Sequence, residues 1–141
     1  NDGQFDDATA KKPKFKAVDN GIFTVRVRVT DAGGLSSEDS STVTVKNVPP
    51  VITSLTFNSS VRVGVKINAY AIFKDVGIND TFTAKWKWGD GTTSAGAISG
   101  NTVNGSHTYT KPGIYLVTIL VKDKDGGVGQ AYKLIFVLPK R

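Results

Sequence analysis

Val65-Lys66-Ile67-Asn68-Ala69-Tyr70-Ala71-Ile72-Phe73-Lys74 is the stretch on which the fold turns. Val65, Ile67, Ala69, Ala71 and Phe73 recur at every second position, with Lys66, Asn68 and Lys74 among the residues between them. Successive side chains of an extended strand point to opposite faces, so the alternation predicts a strand with one apolar face. Tyr115, Val117, Ile119 and Val121 repeat the pattern, as do Phe23, Val25, Val27 and Val29. Val43 and Val45 alternate with Thr42, Thr44 and Lys46. β-Branched residues dominate these runs, and Gly, Asn and Asp bound them. No helix-length window carries apolar residues at i, i+3, i+4 and i+7. The expected fold is all-β.

The chain also repeats itself. Gly21-Ile22-Phe23-Thr24-Val25 returns as Gly113-Ile114-Tyr115-Leu116-Val117, and Val29-Thr30-Asp31 as Val121-Lys122-Asp123, each pair 92 residues apart. Asn47-Val48-Pro49-Pro50 reads as a linker, because two prolines do not fit a central strand. The expectation is the C-terminal part of one module over 1–47 and a complete module over 48–141. Asn1-Asp2-Gly3 is read as the remnant of a turn that returns as Gly89-Asp90-Gly91. The first segment alone leaves apolar faces and sheet edges uncovered, so it is expected to be poorly ordered or completed by another copy or chain.

Composition narrows the function. The 141 residues include no Cys, which excludes disulfides and thiolate metal sites, and no Met, which predicts a processed or excised chain. No apolar run approaches the roughly 20 residues of a membrane-spanning helix, so no membrane insertion is expected. The formal charge is +6, but the 14 lysines are scattered, with Lys11, Lys12, Lys14 and Lys16 the one cluster. A nucleic-acid groove concentrates cations and interleaves aromatics, so no nucleic-acid partner is expected.

Four further blocks carry a family resemblance. Trp86-Lys87-Trp88-Gly89-Asp90-Gly91, then His107-Thr108-Tyr109-Thr110-Lys111-Pro112-Gly113-Ile114-Tyr115, then Val121-Lys122-Asp123-Lys124-Asp125-Gly126 resemble the PKD domain signature. Phe73-Lys74-Asp75-Val76-Gly77-Ile78-Asn79-Asp80-Thr81 is similar to a stretch of tandem microbial PKD repeats. The resemblance covers about two thirds of the chain; the first 47 residues match only its last part and carry Phe15 where the pattern has His. It implies an immunoglobulin-like sandwich of an extracellular or cell-surface protein, used as a spacer or binding module, with any catalytic centre elsewhere.

Individual residues are then weighed. Trp86 and Trp88 lie on one side of a strand, as core or as a sugar-stacking platform. Asp90 reads as a turn residue without a catalytic partner. His107 is the single histidine, and no G-x-S-x-G element supplies a nucleophile for it. The resemblance makes it structural, beside a tyrosine-corner residue at Tyr109. Eleven of the twelve acidic residues are Asp. Asp75 and Asp80 flank one loop and Asp123 and Asp125 occupy another, and a sandwich brings those loops to the pole where Asn47 arrives. Asn47, Asp75, Asp80 and Asp123 are therefore the expected ligands of a calcium ion, which takes six to eight oxygens. The alternative is that these aspartates only cap turns.

The repeat also predicts a contact surface. Opposite the inward residues of the last two strands, Leu116, Leu120, Leu134 and Phe136 point outward, where the first segment has Thr24, Arg28, Thr42 and Thr44. An exposed apolar patch marks a contact surface. A bulge at Gly126-Gly127 would instead turn Leu134 and Phe136 inward. The expected function is a non-catalytic structural or adhesive module of a cell-surface or filament-forming protein, its partners other modules or copies of the same protein. The second reading is an accessory domain of a secreted hydrolase that binds collagen, chitin or another polysaccharide or matrix polymer.

Overall fold

A computed structural model describes residues 3–5, by their backbone alone, and 9–141. Of the expected turn remnant Asn1-Asp2-Gly3, the first two residues lie outside the described residues and Gly3 begins a strand. The chain divides into two units, Asn1–Asn47 with Gly77–Asn79, and Val48–Val76 with Asp80–Arg141. No described residue is helical.

The first unit holds two antiparallel pairs. β1 (Gly3–Phe5) pairs with β2 (Phe15–Ala17), and β3 (Gly21–Thr30) pairs with β4 (Ser36–Val45). The β3–β4 ladder is regular over ten positions, so this hairpin is formed, yet Val27 and Val29 are 57% and 66% exposed.

The second unit is a two-layer sandwich of nine strands: β5 (Val51–Thr56), β6 (Ser60–Arg62), β7 (Lys66–Lys74), β8 (Phe82–Lys87), β9 (Thr93–Ala95), β10 (Ala97–Ser99), β11 (Thr102–Thr108), β12 (Gly113–Asp123) and β13 (Val128–Leu138). One sheet has the order β10-β11-β7-β5 and the other β6-β13-β12-β8-β9. Every pairing is antiparallel except β13 with β6. The chain changes sheets between β9 and β10 at Gly96, whose amide donates to the Ala84 carbonyl at 2.8 Å. A Cβ there would meet Val103 Cγ1 at 2.5 Å, so only glycine lets the strand bend so close to the core.

The alternation of β7 is realised: Ile67, Ala69, Ala71 and Phe73 are buried and the residues between them exposed. They pack with Trp86, Val103, Val117, Ile119, Val121 and Ile135 in one core. Val65 departs from the expected face. It lies outside β7, after Gly64 turns the chain with φ +83°, and is 52% exposed. Pro50 departs from its expected linker role too: it is fully buried, and its carbonyl lies 2.0 Å from where a Cβ on Gly129 would stand. The proline is thus the first packed residue of the sandwich.

Candidate functional site

Trp86 lies near the end of β8 and Trp88 immediately follows that strand, and both are buried. That resolves the two readings in favour of core, for Trp88 as well as Trp86. Trp86 Nε1 donates to the Asn104 carbonyl at 3.2 Å and Trp88 Nε1 to Ser94 Oγ at 3.1 Å, so neither buried N–H is wasted. The indole of Trp86 lies over Gly105, where a Cβ would stand 2.4 Å from Nε1. Trp86 stacks on Trp88, Trp88 stacks on His107, His107 meets Tyr109 edge-on, and Tyr109 stacks on Tyr115, with centroids 4.6 to 5.3 Å apart. Tyr109 donates its hydroxyl to the Trp88 carbonyl at 2.8 Å and ties the stack to the turn after β8.

That turn brings Asp90 a partner, against the expectation that it had none. His107 Nε2 lies 2.7 Å from Asp90 Oδ2, and both side chains are less than a fifth exposed. Asp90 Oδ1 accepts from Thr92 Oγ1 at 2.6 Å and from the Thr92 amide at 3.0 Å. Burial alone would raise the Asp90 carboxyl, but the Thr92 and His107 hydrogen bonds outweigh it and hold the group below its ordinary value. Burial, together with the Asp90 and Tyr115 charges, raises the Tyr109 phenol far above its ordinary value, so the hydroxyl stays a donor. The sequence signal missed here was distance: 17 residues separate His107 from Asp90, and only the pairing of the sheets joins them.

The expected metal ligands divide. Asp75, at the end of β7, Asp80, before β8, and Asp123, at the end of β12, each place a carboxylate oxygen within 4.8 Å of the others. The fourth expected ligand, Asn47, is an amide at the end of the first unit. Asp123 is 3% exposed, and the Asp80 side chain is 1% exposed. Asp123 Oδ1 accepts from the amides of Asp125 at 2.9 Å and Gly127 at 2.7 Å, so part of its role is to shape the β12–β13 turn. Three carboxylates at this range repel one another. Lys124 Nζ answers that repulsion, 2.8 Å from Asp80 Oδ1 and 2.6 Å from Asp125 Oδ2. The Asp80 contact is an ion pair without the alignment of a hydrogen bond. All-oxygen ligands of this charge fit a hard cation such as calcium, and the cluster supplies three of the six to eight oxygens needed. Lys124 was not singled out in the sequence, although a lysine between two aspartates was the available signal.

Residues 47–135 match the family model of the PKD domain, which spans well over half of the chain. The chain belongs to the PKD domain family. Among solved structures it is similar to the PKD domain of an M14-like peptidase from the Thermoplasmatales archaeon SCGC AB-540-F20, at 29% identity and a TM-score of 0.57. That likeness covers 67% of this chain and 100% of the other. The PKD1 domain of Vibrio anguillarum Epp is similar in fold, at 21% identity and a TM-score of 0.51, again over 67% of this chain and 100% of that one.

The PKD module has one more feature, on the outer face of its larger sheet. β12 and β13 pair without a slip from Gly113↔Val137 to Lys122↔Val128, so the bulge that would have turned Leu134 and Phe136 inward does not form. Leu116, Leu134 and Phe136 are 45%, 48% and 47% exposed. Leu120 differs from expectation: it is half-buried and lines a groove together with Lys85, Lys87 and Lys122. Ile114 and Tyr132, which the sequence reading left out, extend the face and are 63% and 68% exposed. Their outward positions follow from the same alternation once the register is known.

Proposed function

We propose that this PKD module is a non-catalytic, extracellular structural or adhesive unit of a cell-surface or filament-forming protein, acting through protein–protein contacts and spacing. The observation that carries the reading is the outer face of β12 and β13, where Leu116, Leu134 and Phe136 sit exposed at positions that the core does not need. The His107–Asp90 pair argues against catalysis. A triad needs a hydroxyl bonded to the imidazole, with the carboxylate behind it. Here the carboxylate stands in the middle and takes the Thr92 hydroxyl itself, and the imidazole is stacked on Trp88. The chain should show no activity above background in a screen of peptide, ester, glycoside and phosphate substrates. Turnover that disappears in His107→Ala would overturn the reading.

The similarity to a peptidase's PKD domain favours a second reading, an accessory module that holds a secreted hydrolase on collagen, chitin or another polymer. Co-sedimentation of the chain with insoluble collagen or chitin separates the two.

Calcium is the cofactor proposed for the Asp75, Asp80 and Asp123 cluster, on the strength of three mutually close carboxylates with two of their side chains shut off from solvent. Binding confined to the folded state raises the melting temperature by mass action. Millimolar calcium should raise it above the value in chelator, and Asp75→Ala should abolish most of the rise. Identical melting curves in calcium and chelator would remove the proposal.

A further inference from the structure

We propose that the outer face of the β6-β13-β12-β8-β9 sheet docks a protein surface that presents apolar side chains flanked by carboxylates. This rests on the contact-module reading and adds the chemistry of the partner.

The apolar character of the face is not a requirement of the fold. The β3–β4 hairpin has the same register and carries Thr24, Thr42 and Thr44 where β12–β13 carries Leu116, Leu134 and Phe136. Nor are the exposed residues scattered. Ile114 pairs with Phe136, Leu116 with Leu134 and Thr118 with Tyr132, so they stand as three adjacent rows across two strands. Contiguous apolar surface of this kind marks a contact on a soluble module, whereas single exposed apolar residues do not.

Charge then selects the partner. The outward positions of β8, β12 and β13 carry Lys85, Lys87 and Lys122 and no carboxylate. The aspartates of this unit lie in the turns between strands or at a strand end. A second copy would present the same cationic face without a carboxylate, so it offers these lysines no ionic partner. A partner with carboxylates around an apolar centre offers one and is steered toward the face. The geometry matches. A groove of about 290 Å³, lined by Leu120 and Val128 together with Lys85, Lys87 and Lys122, lies on this face. It accepts an apolar side chain whose neighbours are acidic. The lysine rim beside this apolar face points to an acidic protein surface as the occupant.

The test uses the full chain with a synthetic hairpin peptide that has a Leu/Ile face bordered by Glu, and its counterpart bordered by Lys. The Glu peptide should bind about tenfold or more tightly than the Lys peptide, and its binding should weaken between low and high salt. Leu116→Thr with Leu134→Thr should weaken it by about tenfold, and so should Lys85→Glu with Lys87→Glu. Circular dichroism should be unchanged in both, and the melting temperature should fall by no more than about 8 °C. Equal binding of the two peptides, or of neither, overturns the proposal. Binding of heparin or phosphatidylserine vesicles in place of the peptides also overturns it, in favour of a polyanion or lipid surface. Dimerisation of the chain that the leucine variants abolish overturns it in favour of a second copy. In the last case the face remains a protein contact surface, so the contact-module reading survives. That reading fails separately, through His107-dependent turnover.

Discussion

The β3–β4 and β12–β13 hairpins share ten paired positions at a constant spacing of 92 residues, from Gly21↔Val45 and Gly113↔Val137 to Thr30↔Ser36 and Lys122↔Val128. Their turns are built alike. Asp31 Oδ1 accepts from the amides of Gly33 and Leu35, as Asp123 Oδ1 does from Asp125 and Gly127. Gly34 and Gly126 take φ of +86° and +95°, which suits a residue without a Cβ. What differs is the surroundings. Val117, Ile119 and Val121 are fully buried under the opposite sheet, while Val27 and Val29, at the places of Ile119 and Val121, are exposed. A hairpin is therefore made by local chemistry, the turn carboxylate, the left-handed glycine and the alternation of side chains. Its core is made by whatever sheet faces it. The outer face is a third variable, set by neither.

The largest expected effect tests the second of these. Ile119→Ala removes a fully buried side chain and should cost about 2–5 kcal/mol. Val27→Ala, at the matching position, should stay within about 0.5 kcal/mol. Native-state hydrogen exchange reads each hairpin through its own amides. Equal losses at both sites would mean that Val27 is covered in solution, and the contrast would collapse.

The contrast also explains how much the sequence disclosed. Alternation is a local signal, and it located Ile67–Phe73, Val117–Val121 and the β3–β4 strands without reference to anything else. The Asp31 and Asp123 turns were legible for the same reason. Val65 was placed wrongly because Gly64 turns the chain two residues before β7 begins, and alternation does not see a φ of +83°. The Asp75–Asp80–Asp123 cluster was legible because the fold class fixes which loops share a pole. The His107–Asp90 pair was not, because the two meet only through inter-sheet geometry. Leu120 escaped because its neighbours across the sheet, Lys85 on β8 and Gln130 on β13, are known only once the pairing is, and long side chains cover apolar surface while keeping their polar ends in water.

A smaller effect sharpens the comparison at the aromatic stack. Phe15 stands where His107 stands in the second unit, and it meets Phe23 edge-on at 5.4 Å. The second unit replaces that apolar pair with an imidazole held by a carboxylate. Because Asp90 has a folded value below its ordinary one, its contribution is fully present above about pH 4 and is lost as the pH falls through the folded value. Acid should therefore destabilise the second unit by about 1 kcal/mol through this group, the net worth of a hydrogen-bonded carboxylate. Asp90→Asn should flatten that part of the pH dependence, measured by tryptophan fluorescence in urea between pH 3 and 6. An unchanged acid slope in Asp90→Asn would mean that other carboxylates carry it.

The smallest expected effect concerns the outer face, and it is informative because it is small. Leu116→Thr with Leu134→Thr gives β12–β13 the residues that β3–β4 already has at Thr24 and Thr42. Both leucines are nearly half exposed, so each loses only part of the transfer energy of a buried side chain. Threonine is itself a good strand former, and the register is held by the Asp123 turn rather than by these rows. The double variant should unfold within about 0.5–1 kcal/mol of the parent in urea. A loss of several kcal/mol would mean that the two leucines are packed in solution and belong to the core. A near-zero loss leaves one explanation for keeping leucine at positions where the first hairpin manages with threonine: the gain is realised only when another surface covers them.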